Sequence, residues 1–302
     1  MKVSIITPCY NAADFIETTI KSIQQQTLTD WELLLVDDGS TDNTAEIIHR
    51  FTLQDKRIKL LQKENGGTAS ARKLGLSHAH GDYIQFVDAD DSIDTDKLRI
   101  QTEYMETHAL DVSYTDWCYV TPEGEKEAVK GMNCSLSRLL VFWGTLGTLP
   151  IHSFLYRHEF IIKHNITINT AIKEREDWDF HIQIYSAHPR TKRLIGYCGA
   201  MYMKAPTGKT TGKSQEKVQI GTLNYLMYKI GQTVGYKKIL LNLRFTIELC
   251  FLFLRNIRTK KRPILNYDFQ KNIEYRKIIR NSILLLPVAL LLTFIAIIIR
   301  RM

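Results

Sequence analysis

Three carboxylates fall within four residues at Asp88-Ala89-Asp90-Asp91, directly after the apolar run Tyr83-Ile84-Gln85-Phe86-Val87. Like charges so concentrated repel unless a cation or hydrogen-bond donors compensate. A hard divalent cation, Mg²⁺ or Mn²⁺, held by one or two carboxylates plus substrate phosphates fits that pattern; a solvated acidic turn is the bland alternative. A second acidic group, Glu174-Arg175-Glu176-Asp177-Trp178-Asp179, stands at an expected helix start. Carboxylates there either complement the helix N-terminus or act: Asp177 has the character of a general base, with Trp178 and Phe180 supplying partly apolar surroundings. A third group joins Pro8-Cys9-Tyr10-Asn11 to Asp37-Asp38-Gly39-Ser40. Tyr10 can stack on a base and Asp38 can accept from a base N–H, whereas a turn with a helix cap explains the second stretch equally well.

These groups matter only if the chain brings them together. The first hundred residues alternate strand and helix signals, the pattern of a mainly parallel sheet flanked by helices. Strands are expected at Val3–Thr7, Glu32–Val36, Ile58–Leu61 and Tyr83–Val87. Helices are expected from Ala12 to Gln25, capped by Asn11, then after Asp42, and over Thr68–Ala79. Ligands in open α/β sheets sit outside the carboxyl ends of the strands, so the three groups should converge on one edge. Beyond residue 110 the pattern loosens, with strands at Val112–Thr115 and Ser153–Tyr156, a polar loop at Thr121–Gly131 and a helix from Glu176. Asn65-Gly66-Gly67 opens a helix as a plain turn or as backbone approaching a ligand. His78-Ala79-His80 reads as a polar helix end. Neither a dinucleotide glycine fingerprint nor a Walker lysine motif is present.

At 302 residues, with 44% hydrophobic and 24% charged residues, the chain is an ordinary globular one, and collagen-like, disulfide-scaffold and disordered readings are excluded. Five scattered cysteines signal neither zinc nor disulfides and suit a reducing compartment. The net charge of +8 divides unevenly: residues 1–205 carry 22 basic against 28 acidic side chains, and residues 206–302 carry 18 against 4. An acidic body is followed by a basic tail.

Taken in order, Val3-Ser4-Ile5-Ile6-Thr7-Pro8-Cys9-Tyr10-Asn11, Val36-Asp37-Asp38-Gly39-Ser40, Asn65-Gly66-Gly67 with Ala71-Arg72, Val87-Asp88-Ala89-Asp90-Asp91 and Glu176-Asp177-Trp178 resemble the family 2 glycosyltransferases of the GT-A fold over residues 1–205. The resemblance implies an α/β nucleotide-sugar-binding domain, a divalent cation at Asp-x-Asp and transfer with inversion. By position it implies that Pro8, Tyr10 and Asp38 hold the nucleoside, with Asp37 in support. Arg72 would lie near the pyrophosphate or nucleoside, Asp88 near the ribose or donor sugar, and Asp90 on the metal. Asp177 would be the base, supported by Glu176 and Trp178, and Lys204 and Lys209 would reach the phosphates. The Gln/Arg-x-x-Arg-Trp motif of processive relatives is missing, which implies one sugar per encounter.

The remainder is expected to be a basic, amphipathic helical extension over 206–282 and a hydrophobic membrane-associated segment over 283–299. Those 17 uncharged residues would span about 26 Å as a helix, against a hydrocarbon core of about 30 Å. A short anchor, a segment in one leaflet and a core helix all remain open. Basic residues between Arg255 and Arg280 would sit on the cytoplasmic face of an anionic membrane. The expected partners are a nucleotide-sugar, by family default a UDP-sugar, and a glycan or lipid-linked acceptor. A polyprenyl-phosphate sugar synthase is the alternative enzyme. Nucleic acid is not an expected partner, because the basic residues flank apolar runs instead of alternating with aromatic groups on a solvated face.

Overall fold

Parallel strands buried on both faces read as continuous apolar runs. Such runs form β1 (Val3–Cys9), β2 (Trp31–Asp37), β3 (Ile58–Gln62) and β4 (Tyr83–Phe86) in the computed structural model of the protein. The structure describes residues 2–121, 124–129, 133–142, 149–172, 175–203, 215–259, 285–286 and 288–289. Helices α1 (Ile16–Gln24), α2 (Thr44–Gln54) and α3 (Thr68–Ser77) connect these strands. Ile16, Ile20 and Ile23 bury one face of α1 at helical spacing. Gly75 lets α3 lie directly on β1, since a Cβ there would collide with Ile6 Cγ2.

After β4 come β5 (Ser92–Ile93), α4 (Lys97–Thr107), β6 (Val112–Val120), β7 (Lys126–Val129), α5 (Leu136–Phe142), β8 (Phe154–Arg157), α6 (His158–Lys163), α7 (Glu176–Ser186) and β9 (Thr191–Met203). Among the described residues the strands form one sheet in the order β3-β2-β1-β4-β8-β6-β9-β5, with β7 paired to β6. The first four are mutually parallel, and β8 runs antiparallel to both β4 and β6. The start of β8 therefore lies beside the end of β4.

Three local expectations change. Helix α1 begins at Ile16 instead of Ala12, because Asn11 takes a left-handed conformation (φ 47°). The Ala12 and Ala13 N–H groups donate to Thr44 Oγ1 and Asp42 Oδ2 in the neighbouring loop. Part of the expected loop at Thr121–Gly131 is the edge strand β7, and β9 is a long strand that periodicity did not signal.

The chain divides into two compact units, Met1–Asn133 with Leu149–Gly208, and Cys134–Thr148 with Lys209–Met302. The first contains the sheet. The second contains α5, α8 (Gln215–Gly231) and α9 (Gly235–Thr259), where the buried Arg244 pairs with Glu248 and donates to the Val141 carbonyl at 3.3 Å. Among the described residues no helix is long and apolar enough to cross a membrane. Most of the expected segment 283–299 lies outside the described residues.

Candidate active site

The parallel order β2-β1-β4 sets three chemically unusual loops side by side at the carboxyl ends of their strands. The first two are tied together. Asp38 N–H donates to the Cys9 carbonyl at 2.8 Å, and Thr41 N–H to Asn11 Oδ1 at 2.8 Å. Pro8 and Tyr10 remain partly exposed there. Asp37 is buried and accepts from Ser40 N–H at 3.0 Å. Asp38 is also buried: Oδ1 accepts from Lys63 Nζ at 2.6 Å and Gly66 N–H at 2.9 Å, and Oδ2 from Gly67 N–H at 2.7 Å. The Asn65-Gly66-Gly67 turn thus brings its backbone to a carboxylate of the same chain. A base N–H would have to use a remaining lone pair of Asp38.

The third loop is organised by Arg72, whose guanidinium reaches Asp88 Oδ1 at 2.5 Å and Glu176 Oε1 at 2.9 Å. Arg72, which the resemblance puts near the pyrophosphate or nucleoside, spans these two carboxylates and is only 4% exposed. Burial opposes its charge, but Asp88, Glu176 and Asp177 outweigh that and raise its pKa. Burial pushes Glu176 up, Arg72 pulls it down, and Asp177 adds to the rise, with a net increase. Helix α7 starts here because Arg175 turns the chain through a left-handed conformation (φ 70°). Asp177 is partly exposed in the first turn, and its Oδ1 accepts from Trp178 N–H at 2.8 Å. Trp178 itself is fully buried beneath it.

Asp91 and His152 were not assigned roles from the sequence. Asp91 is 3% exposed and is pushed well above the usual carboxylate range by burial and by Asp88 and Asp90. His152 is completely buried, which lowers it to about 4 and keeps it neutral. One ligand atom from each of Asp88, Asp91 and His152 lies within 4.8 Å of the others. Asp90 is partly exposed and outside that group. Two carboxylates with one imidazole whose ring nitrogens have no hydrogen-bond partner make a donor set that fits a divalent cation. Lone His152 in Leu149-Pro150-Ile151-His152 carries no spacing signal; only the pairing of β8 with β4 brings it to the acidic loop. Lys204 and Lys209 lie outside the described residues.

The family model described as Glycosyl transferase family 2 matches residues 4–166. The putative teichuronic acid biosynthesis glycosyltransferase TuaG of Bacillus subtilis is 41% identical over 123 residues, covering 40% of this chain and 49% of that protein. The chain spans about half the length of the curated relatives it matches. Among solved structures, S. aureus TarS 1-349 in complex with UDP-GlcNAc superposes with a TM-score of 0.63 at 21% identity, covering 93% of this chain and 79% of that one. The mannosyltransferase PcManGT from Pyrobaculum calidifontis, in complex with GDP-Man and Mn²⁺, gives 0.59 at 17%, covering 97% and 86%. At those identities the likeness is one of fold, the GT-A arrangement of a mixed sheet with flanking helices.

Proposed function

The chain belongs to glycosyl transferase family 2, and from that membership we propose that it transfers one sugar from a nucleotide-sugar, with inversion, to a hydroxyl of a lipid-linked or surface-polysaccharide acceptor. The observation that carries this reading is the Arg72 bridge. It joins Asp88, in the loop after β4, to Glu176, the neighbour of Asp177, so the expected donor and base sides of one reaction meet.

In that reaction Asp177 removes the acceptor hydroxyl proton as its oxygen attacks the anomeric carbon and the bond to the nucleoside diphosphate breaks. The Trp178 N–H holds the Asp177 carboxylate in orientation. Tyr10 and Pro8 take the base, Asp38 accepts from its edge, and Arg72 fixes Asp88 toward the ribose or donor sugar. Asp90 would hold the cation by family position, and Lys204 and Lys209 would add positive charge at the phosphates. A divalent cation bound there would neutralise charge growing on the departing diphosphate.

The nucleotide-sugars bound by TarS and PcManGT support the donor class. The similarity to TuaG, a putative teichuronic acid biosynthesis glycosyltransferase, supports a surface-polysaccharide acceptor. Attachment to the cytoplasmic face of an anionic membrane is supported by the basic C-terminal third and by Val234, Tyr236 and Ile239, which stand exposed next to Lys237 and Lys238.

A panel of UDP- and GDP-sugars with Mn²⁺ tests the reading by thermal shift, since a ligand of the folded state raises Tm by mass action. At least one donor should raise Tm and release its nucleoside diphosphate on addition of acceptor lipid. If no nucleotide-sugar shifts Tm and none is consumed, the reading falls.

A further inference from the structure

We propose that His152 and Asp91, together with Asp88, are ligands of the divalent cation, a donor set distinct from the Asp90 that the motif's position implies. The proposal rests on the cation-dependent reading above and assigns the cation to different residues.

Two separate parts of the chain build the set. Asp88 and Asp91 lie in the loop after β4, and His152 lies in the single turn of 3₁₀ helix (Ile151–Ser153) that enters β8, the antiparallel neighbour of β4. Both inner ligands are held from behind. The His152 carbonyl accepts from Gln85 Nε2 at 3.0 Å, and Gln85 Oε1 in turn accepts from buried Lys97 Nζ at 2.5 Å. The His152 ring lies nearly parallel to that of Tyr202, with centroids 6.3 Å apart. Asp91 Oδ1 accepts from Met203 N–H at 3.1 Å, and its carbonyl accepts from Thr19 Oγ1 at 2.8 Å. That leaves Oδ2 beside the imidazole, 3.2 Å from Nδ1.

The approach of His152 to Asp91 is not aligned as a hydrogen bond, and neither ring nitrogen of His152 has a hydrogen-bond partner. An imidazole buried completely with both nitrogens unsatisfied is costly. A metal ion removes that cost by taking one nitrogen as a ligand, and it also relieves the repulsion among Asp88, Asp90 and Asp91. The Asp88 side chain is 34% exposed, so the set is open to solvent at that ligand and a phosphate could complete the shell there. Carboxylate oxygens with an imidazole nitrogen suit Mn²⁺ better than Mg²⁺, which favours oxygen alone.

The test is electron spin-echo spectroscopy of the full chain with one equivalent of Mn²⁺, with and without UDP, using ¹⁴N- and ¹⁵N-histidine-labelled protein. The expected result is bound Mn²⁺ showing histidine-nitrogen coupling. That coupling should disappear in His152→Gln, and Mn²⁺ affinity should fall at least tenfold there and in the near-isosteric Asp91→Asn. The labelled unsubstituted protein remains decisive if His152→Gln does not fold. Mn²⁺ bound without histidine coupling, or coupling that survives in His152→Gln, overturns the proposal. If Asp90→Asn loses Mn²⁺ while Asp91→Asn and His152→Gln retain it, the cation reading stands and this assignment falls. Failure of the unsubstituted protein to bind Mn²⁺ under either condition removes both.

Discussion

Glu176 and Asp177 are adjacent carboxylates with different surroundings. Both are partly exposed, but Glu176 is paired with Arg72, whereas Asp177 is anchored through one oxygen by the Trp178 N–H. In the proposed reaction Asp177 is the one that meets the incoming acceptor. Asp177→Asn should therefore lower kcat by roughly 10²–10⁴-fold, the usual contribution of a positioned base, while donor affinity in a thermal-shift titration stays unchanged. Near-normal transfer in that variant would point to an acceptor phosphate, which needs little deprotonation. Arg72 has a different dependence. It is buried between Asp88 and Glu176, so Arg72→Met leaves two carboxylates without their cation and should cost about 3–5 kcal/mol, the range for breaking one partner of a buried pair. Urea unfolding measures this; a variant as stable as the original protein would show that the bridge does not support the fold.

At the scale of elements, Glu32 on β2 gathers the parallel strands. It accepts from Ser4 Oγ on β1 at 2.7 Å, from Lys59 Nζ on β3 at 2.9 Å and from the His80 N–H before β4 at 2.9 Å. Burial opposes its charge, and the donors from Lys59, Ser4 and His80 outweigh burial, bringing its pKa from 4.5 to about 2. A depressed folded-state pKa gives stability that is fully present above the unfolded value and lost as pH falls through the folded one. Urea midpoints measured between about pH 5 and pH 2 should thus fall more steeply for the unsubstituted protein than for Glu32→Gln, and parallel curves would refute the assignment. The strands that carry Glu32 were legible because apolar runs such as Val3–Thr7 and Glu32–Val36 end at Pro8 and Asp37. Long-range contacts were not. Asn11 gave up its expected capping role to bind the loop after β2, and β9 is broken by Gly196 (φ 79°) and by a register shift opposite Thr115–Trp117. Among site residues, the acidic loop and the Glu176-Asp177 pair could be read as chemistry. The engagement of Asp38 by Lys63 and of Asp91 by His152 depends on tertiary placement, which leaves no local pattern.

For the molecule as a unit, the division of charge sets up a test of membrane attachment. The helices α5, α8 and α9 belong to one compact unit, so cutting the chain after Thr211 would strip α5 of its partners and confuse misfolding with release. Substitution avoids this. Arg258, Lys260, Lys261 and Arg262 form the densest basic run, and a basic residue near an anionic surface contributes about 1 kcal/mol. Converting all four to Gln should weaken binding to vesicles containing phosphatidylserine by about 10³-fold in a sedimentation assay, with Tm unchanged. Binding to neutral vesicles should be weak from the outset and insensitive to the substitutions. Replacing Val234, Tyr236 and Ile239 by Ser tests the other component: if the exposed residues at the start of α9 enter the interface, binding falls at high salt as well as low, because apolar burial is not screened. Equal sedimentation of all three proteins with anionic vesicles would sink the membrane reading, and a soluble acceptor would then have to be sought for the acidic catalytic unit.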